Sequence, residues 1–185
     1  MNREEAFSLL TNYLQNKNLI KHSLSVEAGM RRLADYFNED PDVWGLAGLL
    51  HDIDYETTKE SPEKHSLVGA EILLKEGLSP EIIEAVKTHN EIHGIPPVGR
   101  MAQSLFCLDP LTGLIVASAL VLPDHSLKDL SIDSLLKRFH EKSFARGARR
   151  EIIKKCEEYL GLDLKNFCSL GLMAMKDISE DLDLA

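Results

Sequence analysis

Residues 26–52, VEAGMRRLADYFNEDPDVWGLAGLLHD, decide the fold. Val26, Met30, Leu33 and Phe37 step by four, three and four, the period of one face of an α-helix. The stripe stops at Asn38-Glu39-Asp40. Pro41 then suits the first turn of a following helix, where a missing N–H costs nothing. The apolar run from Trp44 to Leu50 predicts that this second helix, 42–50, is buried, and it delivers His51 and Asp52 at its end.

The same punctuation recurs along the chain. Ser61-Pro62 predicts a helix start, with the helix running to 75 or 76 and closing on Gly77. Ser79-Pro80 opens another, to about 92, and His93 beside Gly94 reads as a cap or rim residue. Helices follow over 98–107 and 111–122, separated at Asp109-Pro110, then near 131–140, 146–160 and 163–179. Alternating β-branched runs bounded by Asn-Gly or Asp-Gly turns are absent. The expected fold is all-α, a helical bundle forming a single domain over 1–185. Its core spans about 18–122 and a C-terminal helical extension about 126–180.

Composition bounds the class. The 185 residues are 44% hydrophobic and 28% charged, close to the globular average and far from a disordered chain. A domain of this size buries on the order of 70% of its extended surface, enough for one core. With 21 Lys+Arg against 30 Asp+Glu, the net charge of −9 argues against non-specific nucleic-acid binding, which needs cations to neutralise phosphates. Cys107, Cys156 and Cys168 are odd in number and lack a C-x-x-C pair, so a reducing compartment and hence the cytoplasm are expected. The start, MNREEAFSLL, has no apolar signal core, and the apolar stretch 111–122 is short for a bilayer span, so no membrane association is expected.

Histidines lie on the apolar stripes. His22 extends the Val26 stripe by one turn, His65 precedes Val68, Gly69 and Ile72, His89 follows Ile82 and Val86, and His51 ends the apolar helix. One inward histidine is ordinarily a hydrogen-bonded core residue. Inward histidines from four separate segments, with Asp52 beside His51, would each need a buried partner, and a shared cation satisfies them together. Imidazole and carboxylate without thiolate suit Mn, Fe, Co, Ni or Zn at an open site. Asp109 by itself reads as an N-cap before Pro110, and His125 and His140 read as surface residues. Asp54, Glu56 and Lys59 lie in the loop after the doublet and could reach the mouth of such a site, though each reads first as part of a solvated loop.

Charge is uneven. Over 137–155 eight Lys and Arg face two Glu, 8 − 2 = +6, which leaves −15 for the remainder. The run is either a solvated helix face or an anion pocket. In the second case Lys128, Lys137, Lys142 and Arg146 are the candidates for a substrate phosphate.

The doublet in LLHDIDYE, with HSLSVEAG before it and KHSLVGAEIL, AVKTHNEIHG, LDPLTGLIVASALV and KRFHEKSFARG after it, resembles the HD superfamily of metal-dependent phosphohydrolases, in its small stand-alone branch. The resemblance implies an HD-domain-like bundle in which His22, His51, Asp52 and Asp109 bind a first divalent metal. It implies that His65 and His89 hold a second, bridged by Asp52. Some dinuclear relatives carry a further histidine where this chain has Asn90. Asp52 and His51 are then the catalytic pair, and the cofactor is one or two of the metals named above. The expected reaction is hydrolysis of a phosphate ester or anhydride, with a small nucleotide-like substrate as partner. The competing reading is a non-catalytic module that binds or senses a metal or nucleotide.

Overall fold

The stripe of Val26, Met30 and Leu33 lies on α2 (Lys17–Phe37), where these three side chains are essentially sealed from solvent. Each such burial is worth roughly 1.5–3 kcal/mol. Asn38 ends α2 in the left-handed region at φ 59°, and Asp40 then caps α3 (Pro41–Leu50) by accepting from the N–H groups of Asp42 at 2.8 Å and Val43 at 3.3 Å. Every residue of α3 from Trp44 to Leu50 is buried. Its approach to α2 depends on Gly48, where a Cβ would come within 2.8 Å of the Val26 carbonyl and 2.9 Å of Glu27 backbone. That contact brings the end of α3, with His51, against His22 of α2.

The computed structural model describes residues 1–185, and every regular element in it is helical. α1 (Arg3–Tyr13) is tied to α2 through Arg3, which grips the buried Glu27 carboxylate at 2.7 and 3.0 Å, while Arg31 pairs with the same group at 3.0 Å. After α3 come α4 (Tyr55–Thr58), α5 (Leu67–Lys75), α6 (Pro80–Thr88), a 3-10 turn (Glu91–His93) and the long α7 (Arg100–Leu120). α8 (Ile132–His140), α9 (Arg150–Ile153), α10 (Cys156–Leu160) and α11 (Leu164–Asp177) follow. The fold is all-α, as the sequence predicts. One contiguous core joins Leu10 of α1, Met30 of α2, Leu108 of α7 and Phe167 of α11.

Three boundaries differ from the sequence reading, each for a physical reason. Asp109-Pro110 does not separate two helices: α7 runs through it, with Leu105, Leu108, Leu111, Leu114 and Ile115 all fully buried. Burial on that scale outweighs the roughly 3 kcal/mol a mid-helix proline costs. Asp109 is therefore a mid-helix residue, not an N-cap. By length and composition α7 is apolar enough to cross a membrane, and 67% of that window is buried against the rest of the protein.

The helix expected from Pro62 starts only at Leu67, because Ser66 adopts φ 72° and its N–H, with that of Gly69, is captured by the Asp54 carboxylate at 2.9 Å each. Asp54 is thus fully buried rather than solvated. Glu56 also has a task, accepting the N–H groups of Gln15 at 3.0 Å and Asn16 at 2.7 Å, while Lys59 is exposed. The helix expected over 146–160 is split into α9 and α10, and 141–149 is irregular.

Candidate metal centre

Separate elements deliver the side chains. His22 comes from α2, His51 and Asp52 from the end of α3, His65 from the turn before α5, His89 from the end of α6, and Asp109 from the middle of α7. His22, His51 and Asp52 form one group, and Asp52, His65 and His89 a second, in each of which the ligand atoms lie within 4.8 Å of one another. Asp52 spans both. Its Oδ2 lies 3.4 Å from His51 Nε2 and 3.6 Å from His22 Nε2, and its Oδ1 lies 3.2 Å from His65 Nε2 and 3.4 Å from His89 Nε2. Asp109 Oδ1 closes the first group at 3.0 Å from His22 Nε2 and 3.8 Å from His51 Nε2.

The outward nitrogens are all engaged. His51 Nδ1 donates to the Gly48 carbonyl at 2.8 Å and His89 Nδ1 to the Val86 carbonyl at 2.6 Å, each one turn back on its own helix. His65 Nδ1 donates to Asp54 Oδ1 at 2.9 Å. The Thr112 hydroxyl donates to the Asp109 carbonyl at 2.9 Å, which leaves its oxygen to accept from His22 Nδ1 at 3.2 Å. With the Nδ1 proton fixed outward on every ring, a neutral imidazole has only a lone pair to present inward at Nε2. His22 Nε2 and His51 Nε2 are 3.2 Å apart, a separation at which two lone pairs need a proton or a cation between them. This donor set fits a divalent transition metal, and the outward hydrogen bonds are the orienting partners such ligands have.

The protonation pattern agrees. Burial, with His22 and His89 adding to it, pushes the His51 imidazole down to about 4. Against the cost of burial, Asp52 and Asp54 hold His65 up at about 10, and Asp109 with Asp52 raises His22. The surrounding histidines keep Asp52 well below the ordinary carboxylate range despite its burial. In the absence of metal, the carboxylates favour the charged form of His65 and of His22.

The cluster floors a cavity of about 270 Å³, whose wall is completed by Leu19, Tyr55, Asn90 and Arg149. Lys128, Lys137, Lys142 and Arg146 do not line it. Lys137 sits in the last turn of α8, and all four side chains are exposed. The cation at the wall is instead Arg149, from the same basic run, paired with Glu91. Its neighbour Arg150 organises the intervening loop by donating to carbonyls of Arg138, Phe139, Glu141, Phe144, Ala145 and Ala148 at 2.6–3.4 Å. Sequence reasoning missed Arg149, Asp54 and Thr112. The +6 run signals the first, while nothing in the one-dimensional pattern separates Asp54 from its solvated neighbours. His93 ends the 3-10 turn and donates from Nε2 to the His65 carbonyl at 2.7 Å, without lining the cavity, and His125 and His140 are exposed.

The family model for the HD domain matches residues 19–118, a span that contains every His and Asp of the cluster and excludes Arg149. The chain belongs to the HD domain family. Among its relatives are proteins named Ribonuclease Y. The one from Nitratidesulfovibrio vulgaris is 31% identical over 140 residues, 74% of this chain and 27% of the relative. The one from Lawsonia intracellularis is 30% identical over 145 residues, 77% of this chain and 27% of the relative. That from Clostridium kluyveri is 36% identical over 80 residues, 43% of this chain and 15% of its own length. This HD domain therefore spans about a quarter of the length of the first two. No solved structure matches it. HD domains form a family of metal-dependent phosphohydrolases, and the cluster described above has the residue types that family uses.

Proposed function

We propose that this HD domain is a metal-dependent hydrolase of phosphate esters or anhydrides with small, nucleotide-like substrates. In this reading it works as one unit over 1–185, with a core over about 18–122 and a helical extension over about 126–180. The carrying observation is the convergence of the Nε2 atoms of His22, His51, His65 and His89 on Asp52, with Asp109 beside His22 and His51 and every Nδ1 engaged behind. His22, His51, Asp52 and Asp109 would hold one ion, and Asp52, His65 and His89 a second. Divalent ions of the Mn, Fe, Co, Ni or Zn type supply water acidified toward neutrality and withdraw charge from phosphoryl oxygens.

The chain's own residues do the rest. Asp52 ties both histidine groups to one carboxylate, and the fully buried His51, locked by the Gly48 carbonyl, keeps its side of the cluster dry. Asp54 keeps the His65 proton on Nδ1. Leu19 and Tyr55 supply the apolar part of the cavity wall. Three buried, unpaired cysteines support a reducing compartment, the cytoplasm. The test is metal content together with turnover of p-nitrophenyl phosphates and a nucleotide panel with Mn²⁺ or Ni²⁺, comparing wild type with Asp52→Ala. Activity lost in the variant while the fold persists supports the enzyme. Bound metal without turnover across the panel favours a binding or sensing module.

A second reading, cleavage of RNA phosphodiesters, is supported by the name Ribonuclease Y carried by the relatives, and an RNA oligonucleotide belongs in the panel for that reason.

A further inference from the structure

Arg149 is the sole Lys or Arg in the wall of the metal-centre cavity, and it reaches that wall from outside the matched span of the family. Its side chain is 36% exposed and its guanidinium is paired with Glu91, whose Oε2 is buried without any hydrogen-bond partner. The pair therefore presents a neutralised cation to the cavity and holds a carboxylate whose second oxygen is unsatisfied. A buried acceptor without a donor costs free energy, so this resting pair is one that a better anion can replace.

We propose that Arg149 is the residue by which this site binds a terminal phosphate group, that Glu91 occupies it until substrate arrives, and that the site consequently selects phosphomonoesters over phosphodiesters. The inference rests on the phosphohydrolase reading above for its chemistry. The selection follows from charge and from oxygen count. A carboxylate carries one negative charge, a monoester between 1.5 and 2 at neutral pH, and a diester one. Exchanging Glu91 for a diester gains no charge on Arg149, whereas exchanging it for a monoester does. The guanidinium fork takes two oxygens. A monoester has three non-bridging oxygens, so one remains for the His and Asp cluster. A diester has two, and a bidentate grip leaves none. The cavity of about 270 Å³ is at the small end of ligand sites, which suits a terminal group entering end-on.

The test uses the full chain loaded with Mn²⁺, with calorimetric titration of inorganic phosphate and of dimethyl phosphate, beside turnover of p-nitrophenyl phosphate and bis(p-nitrophenyl) phosphate. Arg149→Met is expected to weaken phosphate binding about 10- to 100-fold, the range for a lost charge-assisted hydrogen bond. It should raise KM for the monoester more than for the diester, and weaken binding of inorganic phosphate more than of dimethyl phosphate, while metal content stays at the wild-type level. Arg149→Lys should recover little, because a point charge does not replace the fork. Glu91→Gln should tighten phosphate binding. Wild-type phosphate affinity in Arg149→Met, equal losses for monoester and diester, or full rescue by Arg149→Lys would each overturn the proposal. Failure of the underlying hydrolase reading is seen separately, as wild-type protein that retains no metal or that binds metal and turns over neither ester. Phosphate titration of wild type and Arg149→Met still decides the role of Arg149 in that case.

Discussion

His65 Nδ1 donates to Asp54 Oδ1 at 2.9 Å, and this hydrogen bond decides which nitrogen of the ring faces the cluster. The other Asp54 oxygen accepts from the N–H groups of Ser66 and Gly69. In Asp54→Asn the amide oxygen stays on those two donors and the amide NH₂ turns to His65, which must then accept at Nδ1 and carry its proton at Nε2. Metal stoichiometry should fall from two to one, with affinity at the His65 group down about 10- to 100-fold. Two ions bound with unchanged affinity would contradict this role.

Two glycines give opposite outcomes for the same substitution. At Gly48 an added Cβ meets Val26 and Glu27 backbone within 2.9 Å, so Gly48→Ala should destabilise by about 1–3 kcal/mol and loosen His51 from His22. At Gly113, on the exposed side of α7, nothing lies within 4 Å, and Gly113→Ala should stabilise by about 0.5–1 kcal/mol. Urea unfolding of both variants checks the pair. Equal shifts in one direction would mean that the α2–α3 contact does not require glycine.

The metal-free protein should have a two-sided pH profile. His65 is raised to about 10, above the ordinary 6.5, so its contribution is complete below about pH 6.5 and is lost as pH rises through about 10. His51 is lowered to about 4, so its contribution is present above 6.5 and is lost as pH falls toward 4. Thermal unfolding in chelator should show the midpoint falling on both limbs. His65→Gln should flatten the alkaline limb, and an alkaline limb as steep as in wild type would contradict the assignment.

Arg150 is the organiser of 141–149, since its guanidinium gathers carbonyls from Arg138 to Ala148. Arg150→Met should cost about 1.5–3 kcal/mol and expose the chain at Lys142 and Arg146 to trypsin, while the metal content is unchanged. Cleavage at the wild-type rate would show that the loop is held by other contacts.

The fold class was legible because the chain's signals agree: a helical stripe in α2, Pro41 at the start of α3 and an unbroken apolar run after it. Helix ends were less so where tertiary contacts overrule local chemistry. Pro110 continues a helix because its flanks are buried, and Ser66 delays one because a carboxylate twelve residues earlier takes its N–H. In the cluster, the histidines stood out as polar groups on apolar faces. Asp109 did not, since its local signal is that of a cap and its position opposite His22 exists only in three dimensions. Asp54 was hidden for the same reason, and Arg149 showed only as one member of the basic run. A carboxylate in a polar stretch and one cation among eight over 137–155 carry no mark of burial or of direction.

The most direct measurement is anomalous diffraction from crystals of the wild-type protein grown with Mn²⁺. The account predicts a peak within coordination distance of the Nε2 atoms of His22 and His51 and of oxygens of Asp52 and Asp109, with a second peak served by Asp52, His65 and His89. Saturating metal with no peak among these residues would contradict it.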